Sequence, residues 1–369
     1  MSDDSTDDTL PPEGAPLRRG WTTGACATAA TKSAYAALVT GKFLDPVEIL
    51  LPGGERPSFT LAREALDRDS ATAGIVKDAG DDPDVTHGAL VLSTVRRGPP
   101  GSGVSFRAGP GVGTVTKPGL PLAVGEPAIN PVPRQMMRAA VAELAAALGD
   151  AGDLVVEISI PGGEAIAQKT WNPRLGILGG LSILGTTGVV VPYSCAAWIH
   201  SIHRGIDVAR ATGVTHVAGA TGSTSEAAVV KLYGLEESAL LDMGDFAGGL
   251  LKYLKRHPVP RLTIAGGFAK LAKLAQGHLD LHSGRSQVDL GWLATVAAEI
   301  GAAPALVADI AAANTGLAAL RLARAANLPL ADAIAARARA TAMATLAGAP
   351  VAVDVLVVDR EGNPVGRAT

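Results

Sequence analysis

From about residue 180 onward, a short apolar strand, a Gly-rich loop and a helix follow one another repeatedly. Residues 214–218 precede a loop that contains Gly222, and residues 262–265 precede a loop that contains Gly267. Further strands are predicted at residues 305–308 and 351–358, with helices at 317–325 and 330–346 between them. Strands that alternate with helices assemble into a parallel sheet covered by helices. The second half is therefore predicted to be a Rossmann-like, three-layer α/β domain.

The first half of the chain follows a different pattern. A predicted helix over residues 22–40 ends at Gly41, and a second helix over residues 134–148 follows two prolines. Short β-like runs accompany them at residues 47–51, 71–76, 89–95, 104–108, 112–116 and 154–160. Such a mixture predicts an α+β domain. The predicted organisation is a disordered acidic tail at 1–16, the α+β domain at 17–180 and the Rossmann-like α/β domain at 181–369.

Composition and charge exclude several classes of function. The chain is 47% hydrophobic but only 4% aromatic and contains 44 glycines, which favours a core of small aliphatic side chains. The net charge of −3, without a basic patch interleaved with aromatic residues, argues against nucleic-acid binding. Residues 175–203 carry no charged side chain, but glycines and a proline interrupt them and would leave backbone groups unpaired in lipid. A membrane span is therefore rejected.

The cysteines and the N-terminus indicate the compartment. Cys26 and Cys195 lie far apart and form no metal-binding pattern, so neither a disulfide framework nor a protein-bound metal is predicted. Residues 1–16 carry five acidic side chains and three prolines, which is unlike the order of a signal peptide. We expect a cytoplasmic protein.

The segment at residues 76–87 contains four aspartates within seven positions, together with a lysine and a histidine. Carboxylates this close repel one another, which is tolerable in a solvated loop, is relieved by a cation, or raises a pKa for catalysis. Asp78, Asp81 and Asp82 are therefore candidate catalytic residues. The alternative is a turn around Pro83 in which the aspartate side chains accept backbone N–H groups.

The two Gly-rich loops of the second half, residues 219–223 and 266–270, follow strands and open helices. That position suits an anionic or nucleotide-like ligand. Neither loop contains G-x-G-x-x-G or a phosphate-binding G-x-x-x-x-G-K pattern, and Gly-rich turns are also common for structural reasons. Both interpretations stay open.

Arg134 lies at a predicted helix start, together with Glu126 and Asn130. A cation at that position opposes the helix dipole, so Arg134 is a candidate to bind a carboxylate ligand.

Longer motifs occur in order along the chain. They are GWTTGACATAA at residues 20–30, KDAGDDPDVT at 77–86, GVGTVTKPGL and GEPAINPVPR within 111–134, and TWNPRLGILGGLSILGTTG at 170–188. Together they resemble the cobalt-precorrin-5B C1-methyltransferase family of cobalamin biosynthesis, over nearly the whole chain except the tail. The resemblance implies methyl transfer from S-adenosylmethionine to C1 of cobalt-precorrin-5B, giving cobalt-precorrin-6A. The cobalt then belongs to the tetrapyrrole substrate and not to a metal site of the protein.

The resemblance also implies roles for residues of these motifs. The substrate carries several carboxylates, and the candidate cations that hold them are Lys77, Lys117, Arg134, Arg174 and Lys270. The candidate residues for binding the donor are Thr22, Thr23, Gly24, Gly180, Gly185, Thr186, Thr187 and Gly188. Asp78, Asp81 and Asp82 would serve the cationic donor or remove a proton. Association into a homo-oligomer is compatible with the sequence.

Two other classes of function are considered. A nicotinamide-dependent precorrin reductase would share the Rossmann-like half, but it should show G-x-G-x-x-G with an acidic residue about 20 positions later. The chain lacks that pattern. A non-catalytic tetrapyrrole carrier would bind the substrate without using S-adenosylmethionine. Both remain alternatives to the methyltransferase.

Overall fold

The computed structural model describes residues 16–369. They form a mixed α/β structure with several sheets and divide into two compact units. The first unit comprises the described residues up to 116 together with 121–173 and 177–194, and the second comprises 117–120, 174–176 and 195–369. The predicted boundary between residues 180 and 181 falls inside the first unit. The predicted acidic tail, apart from Pro16, lies outside the described residues.

The first unit combines a central sheet with helices and short ladders. Its helices are α1 (Thr23–Thr40), α2 (Pro131–Leu148) and α3 (Gly163–Ala167). Its strands are β1 (Gly20–Trp21), β2 (Val47–Glu48), β3 (Ser58–Phe59), β4 (Arg63–Leu66), β5 (Ser70–Val76), β6 (Leu90–Arg97), β7 (Val104–Ala108), β8 (Gly111–Val112), β9 (Thr114–Val115), β10 (Leu154–Ser159), β11 (Ile177–Leu178), β12 (Gly180–Leu181) and β13 (Val189–Val190). The central sheet has the order β4-β5-β6-β10-β7 and is antiparallel except for the β10 and β7 pair.

Helix α1 is the centre of the first hydrophobic core. Its residues from Thr23 to Ala37 are all buried, because Ala, Thr and Ser side chains let α2 and the sheet approach closely. The Thr22 side chain accepts the N–H of Ala25 at 3.2 Å and caps the helix, and Gly41 ends it with a φ of 75°. These are the start and stop signals that predict this helix from the sequence.

The segment after β12 is held against the start of α1. The N–H of Gly24 donates to the carbonyl of Leu184 at 2.9 Å, and the N–H of Leu184 donates to Thr23 Oγ1 at 3.0 Å. Strand β1 pairs with β13 beside these contacts. A Cβ atom on Gly185 would lie 2.3 Å from Oγ1 of Thr22, so the close approach requires glycine at that position.

The second unit is built on a largely parallel sheet. Its helices are α4 (Cys195–Ala211), α5 (Ser223–Tyr233), α6 (Ala247–Arg256), α7 (Phe268–Ala275), α8 (Leu290–Glu299), α9 (Pro304–Ala311), α10 (Gly316–Ala325) and α11 (Leu330–Leu346). Its strands are β14 (His216–Ala220), β15 (Leu240–Asp242), β16 (Arg261–Gly267), β17 (Ala352–Val358) and β18 (Pro364–Ala368). The order is β15-β14-β16-β17-β18, parallel except for β18. Alternate residues of the strands contribute to two separate hydrophobic clusters, so side chains on both faces of the sheet are buried.

One strand prediction is wrong, and the uncharged residues that raised the question of a membrane span belong to short strands and a helix. The strand predicted at residues 305–308 is wrong, because these residues lie in α9, where Pro304 opens the helix and alanines favour it. A run of four apolar residues does not distinguish a strand from a buried helix. The uncharged residues 175–203 form β11, β12, β13 and the first half of α4. No helix among the described residues is long and apolar enough to cross a membrane.

Asp150, just after α2, links that helix to α1 and β6. Its carboxylate accepts hydrogen bonds from Tyr35 Oη at 2.5 Å, from Arg97 Nη1 at 2.7 Å and from the N–H of Gly152 at 3.0 Å. The hydrogen bond from Arg97, followed by that from Tyr35, holds the pKa of Asp150 well below its usual range. The carboxylate is therefore ionised at neutral pH and stabilises the packing of the first unit.

We predict that Asp150→Asn lowers the free energy of unfolding at pH 7 by about 1–3 kcal/mol, the usual contribution of hydrogen bonds to a charged group. A lowered folded-state pKa adds stability above the unfolded-state pKa of about 3.9, and that stability is lost as the pH falls toward the folded value. Urea unfolding should therefore show a smaller difference between the two proteins at pH 3 than at pH 7. Asp69→Asn, at an exposed carboxylate, is the control, and an equal loss there would contradict the prediction.

Gly188 provides a second test of the packing around α1. Its φ is 83°, and an added Cβ would lie 2.6 Å from Cδ2 of Leu51, a buried side chain. Gly179 has nearly the same φ of 84° but no atom within 4 Å of an added Cβ. We predict that both glycine-to-alanine variants lose about 1–2 kcal/mol from the left-handed backbone, and that Gly188→Ala loses about 1–3 kcal/mol more from overpacking. Equal melting temperatures for the two variants would show that the contact with Leu51 has no effect.

Candidate functional site

The acidic segment between β5 and β6 lies beside the residues that precede α1. The N–H of Trp21 donates to the carbonyl of Asp78 at 2.7 Å, and the N–H of Asp81 donates to the carbonyl of Arg18 at 3.0 Å. A Cβ on Gly20 would lie 2.0 Å from the backbone of the acidic segment, so the two chain segments are in direct contact. Residues that are about 60 positions apart in the sequence are thus brought together.

Asp78 is held as a fixed negative charge. Its carboxylate forms an ion pair with the guanidinium of Arg18 and accepts the N–H of Gly80 at 2.9 Å. The hydrogen bond from Arg18 is the main cause that lowers the pKa of Asp78 to about 2. A carboxylate with so low a pKa is a weak general base at neutral pH. The geometry favours Asp78 as an electrostatic or structural residue over Asp78 as a base.

Lys77 and Asp84 form a buried pair at the other end of the segment. Lys77 Nζ, on a side chain that is 2% exposed, donates to Asp84 Oδ2 at 2.6 Å. Thr86 donates both its N–H and its hydroxyl to the other carboxylate oxygen. Burial raises the pKa of Asp84, but the hydrogen bonds from Lys77 and Thr86 outweigh it and the net shift is downward. The ammonium of Lys77 is therefore already neutralised inside the first unit.

Asp81 and Asp82 each accept one backbone N–H from a neighbouring segment. Asp81 Oδ2 accepts the N–H of Arg18 at 2.6 Å, and Asp82 Oδ1 accepts the N–H of Tyr193 at 2.8 Å. Asp81 is exposed and Asp82 is half-buried. The aspartates therefore bond to backbone as the turn interpretation expects. The exposure of Asp81 also leaves its carboxylate accessible to a ligand.

Most of the predicted donor-binding residues lie together at the start of α1. Thr23 and Gly24 bond to Leu184, whereas Thr22 packs against Gly185 and donates its N–H to the carbonyl of Gly188 at 3.0 Å. Thr22, Thr23, Gly24 and Gly188 are buried, whereas Thr186 and Thr187 are exposed. Gly180 lies in β12, paired with Gly111 of β8 and buried. The exposed threonines are the members of this group that a ligand can reach directly.

Arg134 in α2 binds the turn that precedes its own helix. Its Nε donates to the carbonyl of Ile129 at 2.7 Å, its Nη2 donates to the carbonyl of Pro127 at 3.0 Å, and its Nη1 lies 2.8 Å from Glu126. The side chain is 15% exposed. Within the protein, Arg134 pairs with the carboxylate of Glu126, and its binding of a ligand carboxylate stays a prediction. The cost of a cation near the helix start is offset by these three contacts.

The remaining candidate cations belong to the second unit. Arg174 forms a bidentate pair with Glu226 at 2.7 and 2.8 Å. Lys270 Nζ donates to the carbonyl of Thr221 at 3.1 Å and lies 3.1 Å from Asp245, at an angle that suits an ion pair but not a hydrogen bond. Among the described residues, the ammonium of Lys117 makes no ion pair.

The second unit also contains an open cleft of about 710 Å³. It is lined by the residues that follow β14, β16 and β17 and by the first turns of α10. The two Gly-rich loops that the sequence singled out, 219–223 and 266–270, contribute to it. They therefore lie side by side at one edge of the sheet.

Sequence reasoning missed several residues of these sites. Arg18 and Tyr193 contact the acidic segment, and Asp245 contacts Lys270, but no local pattern marks any of them. Cys26 lies within a motif, yet it is fully buried in α1 and burial raises the pKa of its thiol to about 12, so it is no nucleophile. Among the described residues, no three His, Cys, Asp or Glu side chains are grouped to hold a metal ion.

Comparison with known proteins matches two family models to most of the chain. The family model described as CbiD matches residues 11–192, and that described as CbiD, C-terminal domain, matches residues 280–369. A crystal structure titled cobalamin biosynthesis protein (cbiD) from Archaeoglobus fulgidus is 26% identical, with a TM-score of 0.40 over 73% of this chain and 83% of that one.

Curated relatives are more similar. The protein of Paramagnetospirillum magneticum named cobalt-precorrin-5B C(1)-methyltransferase is 65% identical over 95% of this chain and 98% of its own length. Proteins with the same name from Brucella anthropi and a Bradyrhizobium species are each 62% identical, over 100% and 98% of this chain and 100% and 96% of their own lengths. The resemblance of the sequence motifs is confirmed, and the chain belongs to the CbiD family, in which these relatives are named cobalt-precorrin-5B C(1)-methyltransferases.

Proposed function

We propose that this protein is a cobalt-precorrin-5B C1-methyltransferase that transfers a methyl group from S-adenosylmethionine to ring carbon C1 in cobalamin biosynthesis. The observation that carries this proposal is the identity of 65% over nearly the full length of a relative with that name. The products are cobalt-precorrin-6A and S-adenosylhomocysteine. The cobalt enters and leaves with the tetrapyrrole, so it is part of the substrate.

Methyl transfer is a displacement at the sulfonium, in which the bond from carbon C1 to the methyl group forms as the sulfur–methyl bond breaks. The electron pair of that bond stays on the sulfur, and no nucleophilic side chain is needed. The protein's tasks are to align the two reactants and to exclude water, and orientation alone is worth roughly 7–11 kcal/mol. The burial of Cys26 agrees with a reaction that needs no protein nucleophile.

We propose that the five candidate cations recognise the carboxylates of the tetrapyrrole in two ways. Lys117, which makes no ion pair among the described residues, is available to bind a substrate carboxylate directly. Lys77, Arg134, Arg174 and Lys270 already contact protein carboxylates or carbonyls. They would bind the substrate through N–H groups that these contacts do not use, or they would position the segments that surround the substrate.

We propose that the acidic segment serves the cationic donor or removes a proton. Carboxylates next to a polyanionic tetrapyrrole would repel it, whereas the sulfonium and ammonium of the donor are attracted. Asp81 fits this role best, because it is exposed, while Asp78 is paired with Arg18. Thr22, Thr23, Gly24, Gly180, Gly185, Thr186, Thr187 and Gly188 remain a prediction for donor contact, with Thr186 and Thr187 as its exposed members.

We further propose that the second unit is a Rossmann-like domain. In the order of the chain, its strands stand as 2-1-3-4-5, an order found in doubly wound α/β folds, with the last strand antiparallel here. The buried side chains on both faces of the sheet support this assignment. We also propose that the enzyme works in the cytoplasm and that it can assemble as a homo-oligomer.

The proposed reaction predicts where a labelled methyl group appears. With cobalt-precorrin-5B and methyl-labelled S-adenosylmethionine, we expect label at C1 of the product and one S-adenosylhomocysteine per turnover, measured by NMR and mass spectrometry. Donor consumption should require the tetrapyrrole. Label at another ring carbon contradicts the proposal. Tetrapyrrole binding without transfer would indicate a carrier, and oxidation of NADPH without transfer would indicate a reductase.

A functional role and a structural role of the acidic segment predict different effects when the charge of Asp81 or Asp82 is removed. Asp81→Asn and Asp82→Asn keep an oxygen that accepts the backbone N–H of Arg18 or Tyr193 but remove the charge. We expect turnover or donor affinity to fall by about tenfold or more, the effect of losing one charged interaction of roughly 1.4 kcal/mol. Melting temperature and tetrapyrrole affinity should stay unchanged. If both variants lose stability but keep full activity per folded molecule, the segment is structural.

A further inference from the structure

The strand order of the second unit defines a switch point between β14 and β16. The chain leaves β14 toward β15 on one side of the sheet and leaves β16 toward β17 on the other side. Loops that depart in opposite directions leave a crevice outside the carboxyl ends of the two strands. In open α/β sheets, ligands bind in this crevice.

The cleft of about 710 Å³ occupies that crevice. Its lining includes Thr221 to Ser225 after β14, Gly267 to Lys270 after β16, and Val358 to Arg360 after β17. A Cβ on Gly266 would lie 2.7 Å from the Thr221 side chain, so the absence of a side chain there lets the two loops approach closely. The volume lies within the range of about 300–1,000 Å³ that is typical of small-molecule sites.

Two helices begin at this cleft without a side-chain cap. The residues before α5 and α7 are Gly222 and Gly267, and neither provides a side chain to accept the first N–H groups. In the same unit, Asp289 caps α8 and Thr315 caps α10, whereas α6, α9 and α11 also begin without a side-chain cap. What sets α5 and α7 apart is that both begin at the cleft. The cavity is thus bordered by uncapped N–H groups at the starts of two helices, and these groups suit a ligand with one anionic group.

The side chains that line the cleft indicate which other chemical groups its ligand carries. Leu317 and Leu320 of α10 and Phe268 of α7 provide an apolar surface that suits a flat base. Asp359 also lines the cleft, but its carboxylate accepts the backbone N–H groups of Glu361 and Asn363 and lies 3.9 Å from Arg324. Asp359 and Arg360 offset each other in charge, and Lys270 is paired with Asp245. The cleft therefore matches a single carboxylate better than a diphosphate.

We infer that this cleft binds the nucleoside and amino-acid carboxylate of the methyl donor, with the carboxylate at the starts of α5 and α7 and the adenine against α10. The inference rests on the proposed function, which requires such a donor. It gives a ligand to the loops at residues 219–223 and 266–270. It is an alternative to the donor site that the sequence predicts at the threonines and glycines of the first unit, and the test below decides between the two.

The test fills the cleft without disturbing the fold. An added Cβ on Gly222 or on Gly267 meets no atom within 4 Å, and neither φ, 162° and −67°, lies in the left-handed region. Gly222→Leu and Gly267→Leu should therefore fold, as circular dichroism and melting temperature will show. Gly53→Leu, at a site in the first unit that is similarly open, is the matched control.

The probe is S-adenosylhomocysteine, and its affinity is measured by calorimetry with each full-length protein. We expect at least a tenfold loss in both cleft variants and unchanged affinity in Gly53→Leu. Unchanged affinity in folded cleft variants would overturn the inference. So would a comparable loss in Thr187→Leu alone, which would place the donor in the first unit, or tight binding of NADP in place of the probe.

The methyl-transfer assay separates this inference from the proposed function. If the wild type methylates C1 while the cleft variants keep full affinity and turnover, the inference fails and the function stands. If the wild type binds the probe in the cleft but transfers no methyl group, the proposed function fails, while the cleft stands as the binding site of the nucleoside and carboxylate. Loss of both binding and turnover in the cleft variants alone supports both.

Discussion

The burial of helix α1 is the constraint on which the first unit depends. Fifteen consecutive residues of this helix are buried, so no side of it faces solvent along most of its length. Most of these side chains are small, which permits this packing against α2 and the sheet. The two large side chains end in polar contacts, because Tyr35 reaches Asp150 at 2.5 Å and Lys32 reaches Glu143 at 3.1 Å and the carbonyl of Glu48 at 3.0 Å. The motif at residues 20–30 is therefore first a packing motif.

The same close packing fixes the polar residues around the start of α1. The backbone of residues 184–188 bonds to Thr22, Thr23 and Gly24, and the acidic segment bonds to Arg18 and Trp21. Polar groups that are bonded in this way lose their conformational freedom when the protein folds. Ligand binding therefore does not carry the entropic cost of ordering them. A site on this surface is preorganised, which is what an enzyme needs when its main task is alignment.

Local signals predicted much of the fold, whereas the pairings between distant segments could not be predicted. Thr22 and Gly41 mark the ends of α1, and the β-like run at 104–108 coincides with β7. The bonds from Arg18 to Asp78 and from Tyr193 to Asp82 join residues 60 and 111 positions apart. Turn chemistry describes how an aspartate bonds nearby, but it does not indicate which distant backbone group completes the site.

The second unit shows how topology can replace a sequence fingerprint. A G-x-G-x-x-G loop places its glycines, its turn and a helix start in one segment. Here Gly222 and Gly267 stand at the starts of two helices that follow neighbouring strands, and Gly266 allows the loops to approach each other. Two loops thus bring together glycines and helix starts that a fingerprint loop carries within one segment. A search of the sequence for a single motif finds neither loop, because the two loops become neighbours only through the parallel pairing of β14 with β16.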